Sequence, residues 1–214
     1  MSRGEPRGSH LADFRDSVHY RKGVACQDCH GGDASSYNKW VAHRGVESSH
    51  RSASATHWRN LPTTCGSCHA TLFESYASHD HFELLSDGDR RAPNCSTCHG
   101  EVASASFRAP PNQCDSCHGS EFNATANPLD GRGGDLLTMM RAAGEVCRKV
   151  SYRIERMKDA ARRHELEEGF FVADAPDQEA IDDGHGFRWD DWEDNIVLAL
   201  EGFEQLYREL KKKR

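Results

Sequence analysis

Four times the chain reads Cys-x-x-Cys-His: Cys26-Gln-Asp-Cys29-His30, Cys65-Gly-Ser-Cys68-His69, Cys95-Ser-Thr-Cys98-His99 and Cys114-Asp-Ser-Cys117-His118. A thiol pair at this spacing is by itself ambiguous among zinc binding, a redox dithiol and covalent haem attachment. The histidine that follows each pair decides among them. Two thiols three residues apart can add to the two vinyl groups on one edge of a porphyrin, and the next residue can turn its imidazole under the plane to bind iron. Two four-cysteine zinc sites could be drawn from the same pairs, but they leave all four histidines without a role. Four haem c groups are therefore expected, held by Cys26, Cys29, Cys65, Cys68, Cys95, Cys98, Cys114 and Cys117, with His30, His69, His99 and His118 as proximal iron ligands.

The elements that must position these residues are short of apolar mass. Only 36% of the 214 residues are hydrophobic, and the mean hydropathy is -0.79. Eight of the nine cysteines and eleven of the thirteen histidines lie in the first 118 residues, which divides the chain by composition. Between Cys26 and His118 there are about 23 residues for each haem, too few for a conventional core. The macrocycles are expected to become the core, packed edge to edge, with little regular structure around them. The net charge of -7 argues against nucleic acid, which needs clustered Lys and Arg. No apolar run reaches the roughly 18 residues of a membrane span.

Each iron has a second face. Methionine there raises the potential and histidine does not. Met1, Met139, Met140 and Met157 all lie away from the motifs, whereas nine further histidines are present. Bis-His ligation and low potentials follow as the expectation. Two stretches also share a layout. Phe14-Arg-Asp-Ser17-Val-His19 precedes Gly23-Val-Ala-Cys26-Gln-Asp-Cys29-His30-Gly-Gly-Asp33, and Tyr76-Ala-Ser-His-Asp-His81 precedes Ala92-Pro-Asn-Cys95-Ser-Thr-Cys98-His99-Gly100.

An aromatic residue, then Ser and His, then CxxCHG resembles the pattern of bacterial multihaem cytochromes c, and Leu61-Pro-Thr-Thr-Cys65-Gly-Ser-Cys68-His69 is similar to the second motif of that family. The resemblance covers roughly residues 14 to 120. It implies that the histidine of the Ser-x-His element is a distal ligand, which places His19 in that role. It places His81 there too, although its serine is displaced by one and His79 is a rival. Many such proteins carry another histidine just after the third motif; here that place reads Glu101-Val102-Ala103. The replacement is expected from His43, His50 or His57, of which His43 and His57 are the better placed, or from the second half; otherwise one iron stays five-coordinate.

In the second half, Leu136, Met140, Ala143, Cys147, Val150, Ile154, Met157 and Ala161 recur at alternating steps of four and three, which is heptad spacing. Trp189, Trp192, Ile196, Ala199, Phe203, Leu206 and Leu210 make a second stripe. Cys147 lies on the first stripe, where cysteine acts as a small hydrophobe. Gly169 is expected to close the first helix, with Pro176 and Gly184-His185-Gly186 in the connection. The expected architecture is a tetrahaem module over 1–125, mostly α, followed over 126–214 by a long antiparallel helical hairpin with helices at about 135–165 and 187–211. The arrangement weakly resembles multihaem nitrite reductases and hydroxylamine oxidoreductases, in which helices after the haem modules support subunit contacts. That likeness implies a homo-oligomer through these helices and makes His185 a further distal candidate, with His164 behind it.

The expected function is electron transfer between redox partner proteins, ahead of two alternatives. One is a small reductase or oxidase of nitrogen compounds acting at an open iron; the other is a subunit of an extracellular cytochrome filament. With no other catalytic grouping, the carrier reading is preferred to the enzyme. Acidic propionates would add to the negative charge, so partners with basic docking patches are expected. In the family it resembles, haem attachment takes place outside the cytoplasm, so a periplasmic or extracellular location is expected. The chain opens Met1-Ser-Arg-Gly-Glu5 with no apolar run and is expected to be the form left after removal of a signal peptide.

Overall fold

The computed structural model describes residues 9–100, 109–119 and 131–212, and among them it holds twelve helices and no strand. Two compact units divide the chain, Met1–Ala109 and Pro110–Arg214. The fourth motif therefore lies in the same unit as the long helices, whereas composition divides the chain only after it. No helix among the described residues is long and apolar enough to cross a membrane.

The first unit carries α1 (Ser9–Asp16), α2 (Val18–Arg21), α3 (Cys26–His30), α4 (Lys39–Ala42), α5 (Leu61–Gly66), α6 (Ala70–Ala77), α7 (Asp80–Asp87) and α8 (Cys95–His99). Helices this short are marginal alone. Polar side chains bonded to backbone hold them in place. Fully buried Ser17 donates to the Phe14 carbonyl at 2.6 Å and accepts from the Tyr20 amide at 3.2 Å, capping α2. Asn60 Nδ2 bridges the Ser52 and Ser54 carbonyls at 2.8 Å each, and buried Asn94 donates to the Trp58 carbonyl at 2.9 Å. The Tyr76 hydroxyl donates to the Pro93 carbonyl at 2.5 Å. Apolar burial is scant. Among the described residues of this unit, Pro62, Tyr76, Leu85, Ala92 and Ala109 are the buried apolar side chains.

The second unit is built the opposite way. After α9 (Asp115–His118) come α10 (Arg132–Glu155), α11 (Ala160–Gly186) and α12 (Trp189–Lys211). The expected two-helix hairpin is corrected here to three helices, because α11 fills what was expected to be the connection. The first helix stops at Glu155 rather than near 165, and a new one starts where the Asp159 carboxylate accepts from the Arg162 amide at 3.1 Å, a strong N-cap. Gly169 and Pro176 both lie inside α11. Proline there lacks the N–H that would bond Val172 four residues back. Val172 is largely exposed, so water can serve its carbonyl.

Helix α11 packs antiparallel on α12: Gly169 meets Leu206, Ala173 meets Gly202, and Gly184 lies under the Trp192 indole. Helix α10 runs parallel to α12, with Arg132 bonded to Asp190 and Glu193 at one end and Arg153 stacked on Tyr207 at 4.8 Å at the other. Two apolar clusters fill the bundle. Val150, Ile154, Leu166, Ala173, Ala199, Phe203 and Leu206 make one, and Leu136, Met140, Ala180, Trp192 and Ile196 the other. Both sequence stripes point inward except at the end of the first, where Ala161 is exposed beyond the break. At the tight α11–α12 turn, buried Asp183 accepts from Arg188 and Asn195, each at 2.8 Å.

The helix seam yields a stability prediction. A Cβ at Gly202 would fall 2.8 Å from Ala173 Cβ and 3.2 Å from its Cα. Gly202→Val should destabilise the bundle by about 1–3 kcal/mol through overpacking. Thermal unfolding followed by circular dichroism should show this as a lowered midpoint, while exposed Glu201→Ala leaves it unchanged.

Candidate haem-binding sites

Each motif is wound into one helical turn. Helices α3 and α8 contain the first and third motifs whole. In the second and fourth, the His69 amide donates to the Cys65 carbonyl and the His118 amide to the Cys114 carbonyl, both at 2.9 Å. Residues i, i+3 and i+4 share a helix face, so this winding puts both thiols and the imidazole on one side. Local bonds stabilise the turns: Asp28 accepts from the Ala25 amide at 2.8 Å, while Asn94 and Thr97 cap each other reciprocally.

The first and third motifs also end alike. Gly31 has φ 76° and ψ -166°, and Gly100 has φ 76° and ψ 174°, a region open in practice only to glycine. Beside Cys26 an open recess of about 250 Å³ is lined by Leu11, Phe14, Arg15, Tyr20, Val24 and Ala25. That mainly apolar lining would suit a porphyrin edge joined to the Cys26 sulfur.

Two imidazole pairs complete the first unit. The His10 and His30 ring centres are 6.3 Å apart, and those of His19 and His69 are 6.1 Å apart. Packing around the ring, and then the His10 imidazole, hold the His30 pKa below its ordinary value. Thiols from different motifs also converge. Cys65 and Cys95 hydrogen-bond to each other, which together with burial pushes the Cys65 thiol up; the same bond pulls Cys95 down. Cys29 is raised by burial and then by Cys65 and its neighbours. Among the described residues no group of three or more His, Cys, Asp or Glu side chains is arranged to hold a metal ion. An iron in a porphyrin asks the protein for only two ligands, one on each face.

The remaining candidates differ in which ring nitrogen is engaged. A metal-binding imidazole commonly donates its other N–H to a carbonyl or carboxylate. His43 Nδ1 donates to the Lys39 carbonyl at 3.0 Å and His185 Nδ1 to the Ile181 carbonyl at 2.6 Å. Both tautomers leave the lone pair on Nε2. His57 and His79 are set the other way: their Nδ1 atoms accept amide hydrogens from Arg59 at 3.4 Å and His81 at 3.2 Å. Their Nε2 atoms then carry the proton.

His79 caps α7 as Ser17 caps α2, each with an aromatic residue three positions earlier and a histidine two positions later. His81 therefore stands where His19 stands. The His79 and His81 rings are 4.8 Å apart, too close to admit an iron between them. His10 was not among the expected ligands, because no local pattern marks it. Glu101–Ala103, where the family's extra histidine is missing, lies outside the described residues.

In the second unit Cys114 Sγ would lie 2.8 Å from a Cβ at Gly133, and Trp189 Cη2 3.7 Å from the same point. The glycine makes room for the sulfur at the start of α10. Comparison with known proteins gives no match: no family model, no curated protein and no solved structure aligns with this chain.

The two glycines supply a test. A Cβ at Gly31 would touch nothing within 4 Å, so the effect of Gly31→Ala is backbone strain alone. Gly31→Ala and Gly100→Ala should each lower stability by about 1–3 kcal/mol, measured by denaturant unfolding followed by circular dichroism.

Proposed function

We propose that the chain is a tetrahaem c-type cytochrome that relays electrons between redox partners outside the cytoplasm. One observation carries this reading. The first unit winds three Cys-Cys-His faces into helical turns, yet buries few apolar side chains. The second unit, with one motif, buries thirteen hydrophobic side chains among its described residues. A fold so short of apolar contact needs another source of it, and three macrocycles would supply it. Leu11, Tyr20, Tyr37, Trp40 and Leu84, exposed in the protein chain by itself, are then available to cover porphyrin faces.

Covalently bound haem supplies a one-electron iron couple at each site. The cysteines tether it, the motif histidines hold one face of each iron, and surplus histidines fill the other. Filled sixth positions favour electron transfer over small-molecule chemistry and low over high potentials. The net charge of -7, with propionates added, favours a partner with a basic patch.

Pyridine haemochrome analysis should find four haems per chain, and low-temperature EPR of the oxidised protein should show them all low-spin. Absence of haem, or zinc bound in its place, would overturn the reading; a high-spin haem would redirect it to the nitrogen-compound enzyme. Electron transfer to a cationic redox protein should slow steeply between low and physiological ionic strength, as screening predicts. Salt-independent rates would remove the basic-patch partner.

A further inference from the structure

We propose that the first two irons take crossed sixth ligands: His10 faces His30, and His19, carried just ahead of the first motif, faces His69 of the second. This deepens the haem reading and rests on it. An imidazole nitrogen sits about 2 Å from a first-row metal, and its ring centre is about 1 Å further out. Two imidazoles on opposite faces of one iron therefore have centres roughly 6 Å apart. The His10–His30 and His19–His69 separations are 6.3 and 6.1 Å, with ring planes at 80° and 72°. Both planes contain the ligand–iron axis, so any angle between them is compatible.

Edge-to-face aromatic contact spans about 4.5–7 Å, so distance alone does not separate the two readings. Position does. Each pair joins one motif histidine to one histidine outside the motifs, and neither takes two from the same class. His19 is also held in place independently of any contact with His69. Buried Ser17 caps the turn that carries it, and its own carbonyl accepts the Val24 amide at 3.0 Å. The recess lined by Leu11 and Phe14, close in sequence to His10, opens beside Cys26 of the site to which His10 is assigned.

The assignment has a consequence for the relay. Residues 10–30 then hold ligands to both irons, which makes those haems neighbours. Cys65 and Cys95 lie within interaction reach of each other, so the attachment edges of the second and third sites are adjacent. Within the first unit the second haem is the middle one.

The test uses the haem-loaded protein. In proton NMR of the wild type, His19 ring protons should show nuclear Overhauser contacts to the haem whose thioethers belong to Cys65 and Cys68. His10 should show them to the haem on Cys26 and Cys29. Contacts from His19 to the haem on Cys26 and Cys29 would overturn the crossing. His10→Ala and His19→Ala should each convert one haem in four to a high-spin, carbon monoxide-binding form, whereas the exposed Glu201→Ala control should convert none. If four haems are present and His10→Ala stays wholly low-spin, the assignment fails while the haem reading stands. If no haem is present, both fail.

Discussion

A single helical turn places residues i, i+3 and i+4 on one face, and the first unit depends on that geometry more than on any packing of side chains. Cys, Cys and His at this spacing converge only if the turn is wound, yet a turn of five residues has little reason to wind alone. The chain therefore spends its polar side chains on caps: Ser17 before α2, Asp28 on α3, Asn94 and Thr97 on α8. Glycine in a conformation closed to other residues ends the first and third turns. Those bonds shape a frame whose apolar interior must come from elsewhere.

The same frame occurs twice, with one substitution of role. Phe14, Ser17 and His19 ahead of the first motif correspond to Tyr76, His79 and His81 ahead of the third. Serine caps by accepting an amide hydrogen through its hydroxyl; His79 does so through Nδ1. A histidine in a cap holds its proton on Nε2 and is unsuited to iron. What looks in the sequence like a displaced serine and two competing histidines is one cap, His79, and one histidine, His81, in the position of His19.

The second unit reaches stability by the ordinary route, with apolar clusters shared by three helices. Helix α11 contributes Leu166 and Phe170 at one end and then a seam of small or short side chains, Gly169, Ala173, Asp177, Ala180 and Gly184. Small residues let α12 come close, and Trp192 and Leu206 reach across to fill the space. The fourth motif meets this bundle through Cys114, whose sulfur lodges against Gly133 near Trp189.

The sequence alone determined what is strictly local. Four Cys-x-x-Cys-His runs need no tertiary contact to be recognised, and two heptad stripes of large apolar residues mark α10 and α12 because burial leaves that period behind. Tertiary structure decided the rest. Helix α11 was hidden because, beyond Leu166 and Phe170, the face it buries is mostly glycine, alanine and aspartate, which leave little hydrophobic period. The approach of His10 to His30 and of His19 to His69 was hidden because the paired rings come from separate segments. No spacing along the chain encodes a distance that only the folded backbone sets.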